Sequence, residues 1–217
     1  MPPMLLTEKK QHLYPALQQY VAARLKELNS LPQQRTDLLQ PIADYLKQQQ
    51  LHRRKLQLLF ACTHNARRSM LSQLWAQTAA SVMGIKNFRS FSAGTQATAL
   101  HPNTVAAMQR AGFKVSTTMD GHNPIYNASY SPTAPSLLLY SKTVEKGFLP
   151  QGHFAAVLTC SQEAESCPVI PGADACFPLT YTDPGSADNT PQADEAYDAV
   201  SRQIAVEMLW LFQRLRA

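Results

Sequence analysis

Apolar residues change their spacing along this chain, and the spacing predicts the elements. Leu13, Leu17, Val21, Leu25 and Leu28 recur at intervals of three and four, and so do Leu38, Leu39, Ile42, Tyr45 and Leu46. That is the period of a helix with one buried face. Asn29-Ser30-Leu31-Pro32 separates the two helices. Pro41 reads as lying near the first turn of the second, where its missing N–H is tolerated. The pair is too short for an independent core. It is expected to pack on the rest of the chain or against a second copy, and it carries no evident chemistry.

From Leu56 the pattern alternates between strand and helix. Leu56–Ala61, Phe88–Ser92 and Phe154–Thr159 read as strands, with a short one at Pro178–Thr180. Ser69–Met83, Pro102–Arg110 and Asp194–Leu215 read as helices; Gly84 and Gly112 close the first two, and Pro102 opens the second. Alternation of this kind predicts an α/β fold, a parallel sheet covered by helices on both faces. The domain would run from 56 to 217, after an N-terminal helical extension over 1–55. One stretch departs from the alternation. Asn123–Tyr126 and Ser136–Ser141 flank Ser131-Pro132-Thr133-Ala134-Pro135, which predicts an inserted β-hairpin at the sheet edge or over a pocket.

Composition adds little to this picture. An apolar content of 45% and a charged content of 16% over 217 residues suit an ordinary globular domain. A net charge of +5 suits an anionic partner without specifying one. The densest basic run, His52-Arg53-Arg54-Lys55, has no interleaved aromatics and reads as a solvated linker, so no nucleic-acid partner is expected. Met1-Pro2-Pro3-Met4-Leu5-Leu6 lacks the basic start and long apolar run of a secretory leader. No run is long enough for a membrane span. The cytoplasm is therefore the expected setting, and there cysteine pairs are more often redox-active or metal-binding than structural.

Chemistry concentrates in Cys62-Thr63-His64-Asn65-Ala66-Arg67-Arg68-Ser69. A cysteine at a strand end, with an arginine and a serine opening the next helix, builds an oxyanion pocket with a nucleophile at its floor. Successive backbone N–H groups converge there, and the helix N-terminus adds positive potential. Arg68 can grip two oxygens of a tetrahedral anion in a fork. The same field favours the thiolate of Cys62.

Cys160 repeats the layout, since it also ends an apolar strand. Adjacent strands lie about 4.8 Å apart, and a disulfide needs Cα atoms roughly 4.4–6.8 Å apart. Neighbouring strands would therefore allow a transient Cys62–Cys160 bond. Cys167 follows a polar loop, Ser161–Ser166. Three thiols in this order suggest a relay that carries two electrons outward by thiol–disulfide exchange. The alternative is that Cys160 is a buried structural thiol and Cys167 a loop thiol of no consequence. Their spacing matches no common zinc-ligand pattern, and Cys176 reads as packing. Asp183-Pro184 supplies a candidate general acid for an oxygen leaving group.

These residues resemble a known family. Cys62-Thr63, Asn65 and Arg68-Ser69, then Phe91-Ser92-Ala93-Gly94, then Asp183-Pro184, look like the low-molecular-weight protein tyrosine phosphatase superfamily. Leu158-Thr159-Cys160-Ser161 with Cys167-Pro168 is similar to its thioredoxin-coupled arsenate reductases. The resemblance spans about 56–216 and implies a mechanism. Cys62 attacks arsenate held by the loop and Arg68, and Asp183 protonates the departing oxygen. Cys160 attacks the Cys62 sulfur and releases arsenite. Cys167 resolves the disulfide, and thioredoxin reduces the resulting Cys160–Cys167 bond.

No organic cofactor is implied. A weak potassium site near Asn65 and Ser92 is, although Gln73 replaces a glutamate that supports it in some relatives. His64 stands where the family usually has glycine. Arg67 stands where it has cysteine, and would either strengthen anion capture or point to solvent. Three readings stay open: an arsenate reductase; a phosphatase acting on phosphotyrosine or small phosphoesters; and a non-catalytic oxyanion sensor.

Overall fold

The computed structural model describes residues 12–145, 149–160 and 170–216. Met1–Leu6, the Ser161–Ser166 loop and Cys167 lie outside the described residues.

Four parallel strands form the central sheet: β1 (Leu56–Cys62), β2 (Phe88–Gly94), β6 (Ala155–Leu158) and β7 (Ala175–Pro178), in the order β2-β1-β6-β7. β1 lies centrally and is buried along its whole length, which explains its unbroken apolar run. Its alternate residues feed two cores. Leu56, Leu58 and Phe60 join a large cluster built with the helices. Leu59 and Ala61 join a smaller one with Phe91, Phe154 and Ile170, to which no described helix contributes. Cys176 packs against this smaller core. β7 starts three residues before its expected position and runs over Ala175–Pro178.

The large core is closed by α1 (Pro15–Leu25), α2 (Gln33–Leu51), α3 (Arg68–Val82), α4 (Pro102–Arg110) and α5 (Ala193–Gln213). Leu17, Val21, Leu39, Ile42 and Leu46 of the first two helices are almost fully buried in that same cluster. Pro41 is not in the first turn of α2. It is the ninth residue of a 19-residue helix, where a proline removes one backbone hydrogen bond. Burial of Leu39, Ile42, Ala43 and Leu46 around it explains why the helix continues, since tertiary packing overrides propensity. No helix among the described residues is long and apolar enough to cross a membrane.

The hairpin segment forms a separate sheet rather than extending the parallel one. β4 (Ile125–Ser129) pairs antiparallel with β5 (Leu137–Leu139), as the sequence suggested, and also with β3 (Lys114–Met119). β3 escaped the sequence reading because its Lys-Val-Ser-Thr-Thr-Met run is mostly exposed and carries no apolar alternation. After β5 the chain passes beneath the end of β2, where Gly94 N–H donates to Lys142 O at 2.8 Å.

Candidate active site

The loop between β1 and α3 is shaped by its carbonyls. Thr63 O accepts from Gln96 N at 2.8 Å, and Ala66 O from His101 N at 3.1 Å and Thr104 Oγ1 at 3.1 Å. His64 O accepts from Ser141 Oγ at 2.7 Å. In a planar trans peptide the N–H points opposite to the C=O, so outward-bound carbonyls turn N–H groups toward the loop centre. Asn65 N–H donates to Cys62 Sγ at 3.2 Å. Asn65, at φ 47°, takes the left-handed turn, so the bulk of His64 falls on an ordinary backbone position and its side chain stands exposed at the rim.

Gly94 is required by close approach. A Cβ there would lie 2.5 Å from Thr63 O and 2.9 Å from Asn65 N, well inside van der Waals contact, so the end of β2 supports the loop with bare backbone.

A polar chain runs behind Cys62. Lys142 N–H donates to Asn65 Oδ1 at 3.1 Å, Asn65 Nδ2 donates to Ser69 Oγ at 2.9 Å, and Ser69 Oγ lies 3.0 Å from Cys62 Sγ. These groups orient the buried sulfur, and the Asn65 N–H is the donor directed at it. Cys62, Thr63, His64, Ala66, Arg67, Arg68 and Asp183 line one pocket. Arg68 opens α3, with Nη2 on Asp183 Oδ2 at 2.7 Å and Nη1 on Tyr181 O at 3.1 Å. The expected nucleophile, oxyanion fork and acid therefore meet at one site, although 115 positions separate Arg68 from Asp183.

Arg67 does not point to solvent, one of its two expected roles: it lines the pocket and its guanidinium is tied down. Its Nη2 donates to Asp188 Oδ2 at 2.6 Å, and its Nε to Tyr197 OH at 2.6 Å. Tyr197 OH in turn donates to Asp188 Oδ1 at 2.8 Å. Burial works to raise the Asp188 carboxyl, but the hydrogen bonds from Tyr197 and Arg67, with the Arg67 charge, hold it below its ordinary value. Burial, then the Arg67 charge, pushes His101 down. Arg67 thus ties the anion loop to the turn that carries Asp183.

β1 and β6 are neighbours, with Ala61 opposite Leu158. Cys160, also buried, lies 3.7 Å from Thr63 Oγ1 through its sulfur. Its place beside the loop is the one expected. Lys142, behind the loop, is a buried lysine that the sequence reading did not single out. Its Nζ lies 3.2 Å from Tyr140 O, 3.5 Å from Ser92 Oγ and 4.7 Å from the Tyr140 ring centroid. Ser92 Oγ also donates to Gln73 Oε1 at 2.6 Å. A side-chain ammonium therefore stands against Ser92, where the resemblance implied a potassium ion. Burial pushes its pKa down to about 8.

Residues 57–124 match the low molecular weight phosphotyrosine protein phosphatase family. That match covers the loop, α3, β2 and α4, and leaves Asp183 and Cys160 outside it. No curated protein sequence matches the chain. Among solved structures, a YwlE mutant from Bacillus subtilis is 15% identical with a TM-score of 0.48, covering 75% of this chain and 100% of that one. A low molecular weight protein tyrosine phosphatase from T. tengcongensis is 15% identical at 0.46, covering 72% and 97%. An arsenate reductase in a phosphate-binding state is 16% identical at 0.42, covering 71% and 95%.

Proposed function

We propose that the protein is a thiolate enzyme for tetrahedral oxyanions, and specifically an arsenate reductase. The observation that carries this reading is the place of Cys160. It is a buried thiol just past the end of β6, the strand paired with β1, within 3.7 Å of the loop residue that follows Cys62. A phosphatase needs Cys62, Arg68 and Asp183 but has no use for a second thiol there.

The loop N–H groups and Arg68 receive arsenate, with Arg68 exchanging Asp183 for anion oxygens. Cys62 thiolate attacks arsenic, and Asp183 protonates the departing oxygen. Cys160 thiolate then attacks Cys62 Sγ. The S–S bond forms as the S–As bond breaks, the bonding pair leaves with arsenic as arsenite, and two thiolates become one disulfide. Cys167 frees Cys62 by attacking Cys160, and thioredoxin, a dithiol reductant, returns the Cys160–Cys167 pair to thiols.

The test is Cys160→Ser. It is expected to abolish thioredoxin-dependent arsenate turnover while leaving Cys62-dependent hydrolysis of aryl phosphates. Undiminished arsenate turnover in that variant overturns the relay. The phosphatase reading is favoured by the family match over 57–124. It becomes the function if the unaltered protein hydrolyses phosphoesters but leaves arsenate unreduced.

A further inference from the structure

Asp183 is reached from two sides, and one of them is the N-terminal helical pair. Arg35, in the first turn of α2, grips Glu207 of α5 in a fork, Nε to Oε1 at 2.7 Å and Nη2 to Oε2 at 2.8 Å. Glu207 is fully buried, and Gln203 Nε2 adds a third donor to it at 3.0 Å. The remaining arm of the guanidinium, Nη1, donates to Thr180 O at 3.1 Å, and its carbon lies 5.1 Å from the Tyr181 ring centroid. The very next carbonyl, Tyr181 O, accepts from Arg68. Tyr181 N–H donates to Thr159 O at 3.1 Å. The two residues entering the Asp183 turn are therefore fixed by one arginine from α2, another from the anion loop, and the end of β6.

A buried ion pair is a poor way to join two helices. Desolvation offsets most of its attraction, and well-packed apolar residues serve as well or better. What an arginine adds is direction, because its planar fork holds the glutamate and still presents a donor at a set angle. Here that donor meets the backbone three residues before Asp183. Downstream, Arg67 and Asp188 hold the other end of the turn.

We propose that Arg35 is a positioning residue for Asp183, so that the helices of residues 15–51 form part of the catalytic apparatus. The proposal rests on the reading of Asp183 as the acid that protonates a leaving oxygen. Displacement of the Thr180–Tyr181 backbone by an ångström moves the carboxyl out of hydrogen-bonding reach of that oxygen.

The test uses the full chain and two variants. Arg35→Met with Glu207→Leu removes both buried charges and keeps the packing; Arg35→Lys keeps the charge and loses the fork. kcat/KM is measured with 4-nitrophenyl phosphate, whose leaving group needs little protonation, and with phenyl phosphate, whose leaving group needs it. The expected result is a loss of about tenfold or more with phenyl phosphate and less than about threefold with 4-nitrophenyl phosphate, a fraction of the 10²–10⁴ that a general acid supplies. In an Asp183→Asn background the double substitution is expected to change neither rate further, as for groups acting through one residue.

Equal losses with both esters, or losses that multiply with Asp183→Asn, overturn the proposal. Absence of Cys62-dependent turnover of either ester by the unaltered protein overturns instead the reading of the site on which the proposal rests. The unaltered protein's own rates tell the two failures apart.

Discussion

Lys142 keeps an ammonium group almost out of water, against the Tyr140 carbonyl and the Ser92 hydroxyl. Burial lowers its pKa from 10.5 to about 8, and the sign of the consequence follows by linkage. Below pH 8 both folded and unfolded chains carry the proton, and the folded state bears the cost of burying charge. Between pH 8 and 10.5 the folded state gives the proton up while the unfolded chain keeps it, so stability rises with pH. Above 10.5 both are neutral. The unfolding free energy of the protein, measured relative to Lys142→Met, is therefore expected to rise by about 3 kcal/mol across that window. Urea titrations at pH 7, 8, 9 and 10.5 check it, and a flat difference would show the amine to be solvated. Nothing in the sequence around Tyr140-Ser141-Lys142 announces this role, because it depends on a fold that brings Lys142 to Ser92, 50 positions away. Cys62, Arg68 and Ser69 were legible because their chemistry sits within eight residues. Asp183 was legible only beside that motif. The tether made by Arg67 was not legible, because its partners, Asp188 and Tyr197, lie 121 and 130 positions on.

At the scale of elements, the meeting of β2 with the loop is the tightest joint near the site. An alanine at Gly94 would put a methyl group 2.5 Å from Thr63 O, 2.8 Å from Gln96 O and 2.9 Å from Asn65 N, all backbone atoms that cannot rotate away. The loop must move, and Asn65 N–H, which points at Cys62 Sγ, moves with it. Gly94→Ala is expected to cost about 1–3 kcal/mol of stability as an overpacked site. It should also lower kcat/KM by about 10²-fold or more, the scale of losing one oxyanion donor. Paired thermal-unfolding and kinetic measurements check both parts, and wild-type kinetics would show that the loop tolerates the shift. Buried strands and two-sided helices were readable from spacing, since β1 and α5 carry long apolar patterns. β3 was not, because a strand with mostly exposed residues owes its place to pairing with β4 rather than to its own pattern. Pro41 misled for the converse reason: a local rule against proline in mid-helix yields to a buried face that runs past it.

At the scale of the whole molecule, the question is what α1 and α2 contribute to folding. Leu17, Leu39, Ile42 and Leu46 have no exposed surface, and Val21 and Leu28 have almost none. They share one cluster with Leu58 and Phe60 of β1 and with Trp75, Ile204 and Phe212 of the long helices. Tyr20 stacks on Trp75 at 5.5 Å, and Gly112 lies so close to α1 that a Cβ there would meet Leu17 N at 2.4 Å. Burying each such aliphatic side chain is worth about 1.5–3 kcal/mol. The six together give roughly 9–18 kcal/mol before conformational entropy is set against it, large beside the roughly 5–15 kcal/mol of net stability of a domain. Removal of residues 1–55 would bare their partners on α3, α5 and β1 and leave Glu207 without Arg35. A chain beginning at Leu56 is thus expected to lose cooperative unfolding and to bind a dye specific for exposed apolar surface, even though Cys62, Arg68 and Asp183 are all retained. A sharp thermal transition within a few degrees of the full chain's would show that residues 56–217 form a core without the two helices.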